Sequence, residues 1–238
     1  MLIDELLTYL FDGKSHPLTT PMEIWLASSR RFTSFVTAFR DKIRKKLRTT
    51  QDQETLYDLR LELETAYLLL QERTLSLVYE PEQSRQIRNP DFAVTFTTSL
   101  TFMVEVTRLR SDPEKTVPLI SERLTDAVCS KLGQLLPQRG NVLIMGVDAQ
   151  HLTQSDLHAA MLRVKQRVEQ IDSTFWQRYR FRDRADFFRH YQRLSEILVR
   201  GSQLQADEPV VGWVNPQAKY PLPSKVRTVL YRSHTHKA

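Results

Sequence analysis

The chain has 238 residues, of which 41% are hydrophobic and 26% are charged, a balance typical of a water-soluble globular protein with a substantial core. Its single cysteine, Cys129, excludes an intramolecular disulfide framework, and the lack of a long apolar run or a basic leader predicts a cytoplasmic protein without a membrane segment. The net charge of +6 is compatible with a polyanionic partner such as nucleic acid.

Residues 1–48 are predicted to form two helices, separated by the prolines of HPLTTP. The second helix, over residues 22–47, ends in the basic run RDKIRKKLR. These cations suit a phosphate-binding arm, although a solvated helix end whose charges complement the helix dipole is the simpler interpretation. We therefore separate residues 1–50 as an N-terminal helical extension.

A third helix is predicted over residues 51–71, followed by a first strand over residues 75–80. The apolar stripe of this helix contains Glu62, next to Leu59 and Leu63, whereas Glu64 points elsewhere. A carboxylate on a buried stripe must be paired, bind a metal or shift its pKa. Glu62 is therefore a candidate site residue, and a glutamate that reaches solvent or pairs with an arginine is the alternative.

Residues 89–109, NPDFAVTFTTSLTFMVEVTRL, predict a β-hairpin whose loop is TTS. In this register one face is wholly apolar, because Phe96 faces Leu100, Val94 faces Phe102 and Phe92 faces Val104. The same register sets Asp91 opposite Glu105 on the other face. Two facing carboxylates repel each other, and a divalent cation between them would remove the conflict.

These residues resemble the PD-(D/E)xK, or restriction-endonuclease-like, nuclease superfamily. In that superfamily a Pro-Asp heads one strand of a hairpin and Glu-x-Lys lies on the next strand. Pro90-Asp91 and Glu105-Val106-Thr107 occupy this pattern, and the resemblance covers roughly residues 56–148. Thr107 stands where the superfamily has its lysine, the residue that orients or activates the attacking water.

The resemblance implies an α/β fold, with a restriction-endonuclease-like mixed sheet flanked by helices and with additional helices at both ends of the chain. It also implies a magnesium or manganese site, in which Asp91 and Glu105 hold the metal and Glu62 completes or tunes it. In this superfamily the lysine can move from the strand to a neighbouring helix. Lys131, on the inward face of a helix predicted over residues 119–136, fits that role, with Gln134 and Thr107 as supporting residues.

The alternative for Lys131 is a side chain that lies along apolar surface with its ammonium in solvent. Three arginines near the carboxylates are candidate contacts to a phosphate backbone: Arg85, Arg88 and Arg108.

The continuous apolar run NVLIMGV, residues 141–147, predicts a strand buried on both faces. Residues 153–198 are predicted to be helical, with arginines interleaved among aromatic rings that are mostly core, because several recur at helical spacing. VVGWV is predicted to be an edge strand and KVRTVLY a last strand. We therefore expect a nuclease-like α/β core over residues 51–152, and a helical region with C-terminal strands over residues 153–238.

Two functions stay open. The first is a magnesium- or manganese-dependent nuclease that hydrolyses phosphodiester bonds of DNA or RNA, with Glu62, Asp91, Glu105 and Lys131 as its catalytic residues. The second is a nuclease-like scaffold that has lost catalysis and binds nucleic acid or a protein partner. Thr107 favours the second, and the combination of Asp91, Glu105 and Glu62 favours the first. The sequence decides neither between DNA and RNA nor the oligomeric state.

Overall fold

The computed structural model describes residues 2–81, 89–110, 119–147, 152–170, 173–202 and 210–235. These residues form an α/β fold with one mixed sheet of six strands, flanked by helices. The expectation of an α/β fold with a mixed sheet and flanking helices is confirmed. Among the helices in these ranges, none combines the length and apolar character needed to cross a membrane.

The strands lie in the sheet in the order in which they occur along the chain. They are β1 (Leu75–Tyr79), β2 (Phe92–Phe96), β3 (Leu100–Leu109), β4 (Asn141–Val147), β5 (Leu194–Gly201) and β6 (Val211–Val214). Strands β1 to β3 are antiparallel neighbours, β3, β4 and β5 run parallel, and β6 returns antiparallel to β5. The parallel pairs need helical crossovers, since a short turn cannot connect parallel strands.

The β2–β3 hairpin has the predicted register, in which Phe92 pairs with Val104, Val94 with Phe102 and Phe96 with Leu100. Thr97 begins the loop in the left-handed backbone region, with φ of 55°. The register is strongly specified because a slip by one residue would turn the apolar face of the hairpin away from the core.

Five helices precede the sheet: α1 (Ile3–Phe11), α2 (Thr19–Ser28), α3 (Arg30–Ala38), α4 (Arg40–Thr49) and α5 (Gln53–Gln71). The single helix predicted over residues 22–47 is wrong, because the chain breaks twice within it. At Ser29 the backbone is extended, and the side chain accepts a hydrogen bond from the amide of Phe32 and so caps α3. A second break at Phe39 separates α3 from α4.

In the described ranges after β3 the chain forms α6 (Ile120–Leu132), α7 (Gln154–Glu169), α8 (Ser173–Tyr179), α9 (Arg184–Tyr191) and α10 (Ser224–Thr235). Two apolar cores result, one on each face of the sheet. The first core packs α1 to α5 and α10 against the sheet, and the second core packs α6 to α9 against the opposite face. Along β3, Val104 and Val106 belong to the first core and Leu109 belongs to the second.

Two predictions for the C-terminal part are wrong. The helical region predicted over residues 153–198 is wrong from residue 194 onward, because residues 194–201 form β5, which is buried along nearly its whole length between β4 and β6. A short apolar run does not distinguish a buried strand from a buried helix by periodicity. The segment KVRTVLY belongs to α10, because Val226, Val229 and Leu230 bury one helical face. The edge strand predicted for VVGWV is confirmed as β6.

Candidate active site

Two carboxylates, Glu62 and Glu105, act electrostatically on a third, Asp91. Asp91 immediately precedes β2, Glu105 lies in the middle of β3 and Glu62 lies on α5. The amide of Val106 donates a hydrogen bond of 2.7 Å to Oδ2 of Asp91, which fixes the Asp91 side chain beside the residue that follows Glu105. The hairpin therefore holds Asp91 next to β3 by backbone geometry.

Asp91 is the electrostatically least compensated member of the group. Burial raises the pKa of Asp91 well above its usual range, and the nearby charges of Glu62 and Glu105 raise it further, against the Val106 hydrogen bond and Lys46. Within the described part of the chain, no lysine, arginine or histidine forms an ion pair with Asp91. Asp91 is therefore a carboxyl group that favours a proton, or a cation in its place.

Glu105 is buried and pairs with Lys131 from α6. The ammonium Nζ of Lys131 lies 2.7 Å from Oε1 of Glu105, and the two side chains are 15% and 7% exposed. Oε1 of Gln134, three residues further along, lies 3.5 Å from the same ammonium, at the long limit of a hydrogen bond. The structure therefore brings Lys131, Glu105 and Gln134 together, whereas the catalytic role of Lys131 stays a prediction.

Glu62 is compensated from α4, by a residue that sequence reasoning did not single out. Nζ of Lys46 lies 2.6 Å from Glu62 and 2.7 Å from Glu80. Burial opposes the charge of the ammonium, but the two carboxylates outweigh it and raise the pKa of Lys46. Burial also raises the pKa of Glu62, against Lys46. The available signal was the helical spacing of Lys46, three residues after Ile43 on the apolar stripe of α4.

Several other cations of the basic run RDKIRKKLR also form intramolecular contacts. Lys42 donates to the backbone carbonyls of Tyr79 and Glu80, at 3.3 and 2.8 Å, and Arg44 and Arg48 pair with Asp12. These contacts hold α4 to β1 and α1. The basic run is therefore neither a free phosphate-binding arm nor simply a solvated helix end.

Tyr79 adds a buried hydroxyl to the group. Its side chain is fully buried, and its hydroxyl points toward the Glu62 carboxylate. Burial raises the pKa of Tyr79, and the charge of Glu62, its hydrogen bond with the hydroxyl, and the charges of Glu80 and Asp91 raise it further. The hydroxyl therefore remains a protonated donor beside Glu62 in a strongly negative environment.

The other predicted residues are less closely connected with the carboxylates. Thr107 is partly buried on β3, two residues after Glu105 and hence on the same face of the strand. Arg108 is enclosed, with its side chain 2% exposed, and pairs with Glu54 and Asp58 of α5. Its guanidinium therefore faces a helix. Arg85 and Arg88 lie outside the described residues.

Glu64 requires a correction, since the sequence placed it away from the buried stripe of α5. It is fully buried, and its Oε2 lies 2.8 Å from Nη1 of Arg200 on β5. Helix α5 is covered on several sides, by the sheet, by α3 and α4, and by α10, so a single apolar stripe does not describe its buried surface.

As metal ligands, the carboxylates differ in how far lysines already compensate them. In the ranges that the structure describes, no three histidine, cysteine, aspartate or glutamate side chains are grouped closely enough to hold a metal ion. Lys131 pairs with Glu105, and Lys46 is shared between Glu62 and Glu80. Among these carboxylates Asp91 alone forms no ion pair with a described lysine, arginine or histidine. Magnesium is often held by only one or two carboxylates together with waters and substrate phosphates.

Comparison of the chain with protein-family models, with curated proteins and with solved structures found no match. Any functional proposal therefore depends on the chemistry of these residues.

Proposed function

We propose that the chain is a magnesium- or manganese-dependent nuclease with a restriction-endonuclease-like fold. The proposal is supported above all by Asp91, a carboxyl group with a strongly raised pKa between two further carboxylates. A metal-free scaffold gains no stability from this arrangement, because like charges in a poorly solvated place repel each other. A divalent cation, in contrast, converts the same repulsion into a binding site.

The residues that would hold the metal are Asp91 and Glu105, with Glu62 tuning the charge around them. When bound, the ion would supply Lewis-acid stabilisation of the negative charge that develops on a phosphate during hydrolysis. Asp91 would release its proton as a ligand, and the Val106 amide keeps its Oδ2 oriented toward β3. Glu105 would keep its contact with Lys131 and so couple the ligand to the ammonium.

Lys131 would take the role of the superfamily's strand lysine, whose position is occupied by Thr107 in this chain. An ammonium has three donors. One is used by Glu105 and a second points toward Gln134, which leaves one for a phosphate oxygen or for the attacking water. A preorganised charge of this kind stabilises the transition state because it needs no reorganisation during the reaction.

The second candidate is a nuclease-like scaffold that binds nucleic acid or a protein without cleaving it. It is favoured by Lys46 and Lys131, which compensate two of the three carboxylates without any metal. Thr107 also favours it, since a threonine provides no charge beside a scissile phosphate.

Cleavage assays on DNA and RNA, single- and double-stranded, with magnesium, manganese or EDTA, decide between the two. In the variant Lys131→Met the aliphatic stem and the packing remain while the charge is lost. We expect a folded protein that still binds manganese, with activity lower by roughly two to three orders of magnitude. Lys225→Met, at an exposed lysine of α10, is the matched control and should cleave at the wild-type rate.

If Lys131→Met cleaves within a few-fold of the wild-type rate, Lys131 has no catalytic role and only forms a structural ion pair with Glu105. If the wild type cleaves no substrate with either metal, the scaffold function replaces the nuclease.

A further inference from the structure

Two adjacent cavities lie on the same side of the sheet as Lys131, where the end of α6 meets α8 and α9. Each has a volume of about 460 Å³, and they share Arg178 and Tyr179 as a common wall. The first extends past Arg167, and the second extends past Arg180 and His190 to Gln134 at the end of α6. We call these two cavities the arginine groove.

The arginine groove has an excess of positive charge. Asp126 serves both Arg167, at 2.7 Å, and Arg178, at 3.0 Å. Beside the groove, Asp186 serves Arg182 and Arg189 at 3.1 and 3.2 Å. Two carboxylates therefore form ion pairs with four guanidinium groups, and a third, Asp183, acts on Arg182 electrostatically. Arg178, Arg182 and Arg189 are 63%, 74% and 57% exposed, so most of their donors face water.

Arg180 occupies a backbone position that glycine fills most easily. It ends α8 with φ of 60°, and the chain closes around it through a 3.0 Å hydrogen bond from the amide of Phe181 to the carbonyl of Trp176. It is exposed, and none of the described carboxylates forms an ion pair with it. The backbone of Arg180 thus lies in the left-handed region, which is unfavourable for a residue with a side chain. Its guanidinium forms no ion pair with a described carboxylate.

The aromatic rings beside these arginines do not form a stacking surface. Phe175, Tyr179 and Phe181 are all at most 9% exposed and pack in the second core. What the groove presents is mainly guanidinium, whose planar donors match phosphate oxygens. Stacking on bases, which requires exposed rings, has no support here.

The arginine groove also reaches the candidate active site. Gln134 lines the second cavity, and its Oε1 lies 3.5 Å from the ammonium of Lys131, which in turn contacts Glu105. A phosphate seated beside Arg178 and Arg180 is therefore separated from Lys131 by one side chain.

We infer that the arginine groove binds the phosphate backbone of a nucleic-acid strand, independently of its base sequence, and leads that strand to Lys131 and Glu105. This inference deepens the proposed nuclease function and rests on it for the destination of the strand. Binding of the backbone in the groove, in contrast, needs no metal and no hydrolysis.

The test is fluorescence anisotropy with labelled oligonucleotides of about 20 nucleotides, in EDTA, at salt concentrations from about 50 to 200 mM. DNA, RNA and duplex form separate arms, each with two unrelated sequences. The test variant is Arg178→Gln with Arg180→Gly. Arg180→Gly removes the guanidinium and relieves the left-handed backbone, so the fold should not suffer. The charge-matched control is Arg30→Gln with Arg73→Gln, two exposed arginines on the opposite side of the sheet.

We expect the test variant to bind single strands at least about tenfold more weakly and with a salt slope lower by about 1.4, the value for two lost phosphate contacts. The control should bind within about twofold of wild type, and unrelated sequences should bind alike.

An equal loss of affinity in the control and in the test variant would show that net charge alone is responsible and would overturn the inference. A strong preference for one oligonucleotide sequence, or a wild-type protein that binds no oligonucleotide, would also overturn it. Manganese-dependent cleavage without a loss of binding in the test variant would refute strand binding by the arginine groove but not the nuclease function. Binding that depends on the groove, without any cleavage, would refute the nuclease function but not strand binding by the groove.

Discussion

Glu64 and Asp91 are two carboxylates with reduced exposure to water, yet their surroundings differ. Glu64 is fully buried and faces Arg200 at 2.8 Å, in a pair that joins α5 to β5. Asp91 is partly buried and faces Glu62 and Glu105 instead, and burial together with these neighbours raises its pKa. Burial of a carboxylate thus does not by itself indicate a site. The identity of the neighbouring charges distinguishes a structural acid from a ligand.

The largest effect is expected at the structural pair. Arg200→Met removes the guanidinium that pairs with buried Glu64, which should lower the free energy of unfolding by about 3 to 5 kcal/mol, the usual cost of breaking a buried ion pair by deleting one partner. Urea unfolding measures this loss. The double variant Arg200→Met with Glu64→Leu should recover much of the stability, since an apolar replacement of the whole pair is often neutral.

A small loss in Arg200→Met, or no recovery in the double variant, would contradict a structural role for the pair. Manganese binding should persist in every variant of the pair that remains folded.

Glu196 on β5 provides an intermediate case. Its side chain is fully buried, and neither carboxylate oxygen has a hydrogen-bond partner among the described residues. Burial raises the pKa of Glu196 to about 7, although Arg227 opposes the shift. Because the folded state holds the proton more tightly than the unfolded state, stability should fall as the pH rises from about 4.5 to about 7.

Glu196→Gln should remove this pH-dependent loss, which we estimate at roughly 2 to 3 kcal/mol between pH 5 and pH 8. The free energies of unfolding of wild type and variant, measured across that range, provide the comparison, and other titrating groups cancel in the difference. Parallel pH profiles for the two proteins would show that Glu196 does not titrate there.

The features that the sequence predicts are those that a local pattern determines. The hairpin register follows from the alternation of Phe92, Val94 and Phe96 around a three-residue loop, and the inward position of Lys131 follows from helical spacing. Both depend on residues close together in the chain.

The features that it does not predict depend on long-range partners or on competition between local structures. Glu64 and Arg200 are 136 positions apart, and no local pattern relates them. The pairing of Lys46 with Glu62 joins two helices whose packing is decided by the core. Strand β5 was misassigned because the short apolar run LSEILV is compatible with a helix or a buried strand until its neighbours β4 and β6 are known.

The most direct test of the central claim is calorimetric titration of wild type and Asp91→Asn with manganese, with Asp4→Asn on the exposed surface of α1 as the charge-matched control. Without metal, Asp91→Asn should be as stable as wild type or up to about 1 kcal/mol more stable, because a neutral amide avoids the cost of keeping an acid beside Glu62 and Glu105. Wild type and control should bind one manganese ion, with proton release and with affinity that rises with pH, because the raised pKa of Asp91 makes the proton compete with the metal. Asp91→Asn should bind none. Undiminished manganese binding by Asp91→Asn, or no binding by wild type, would contradict the metal site.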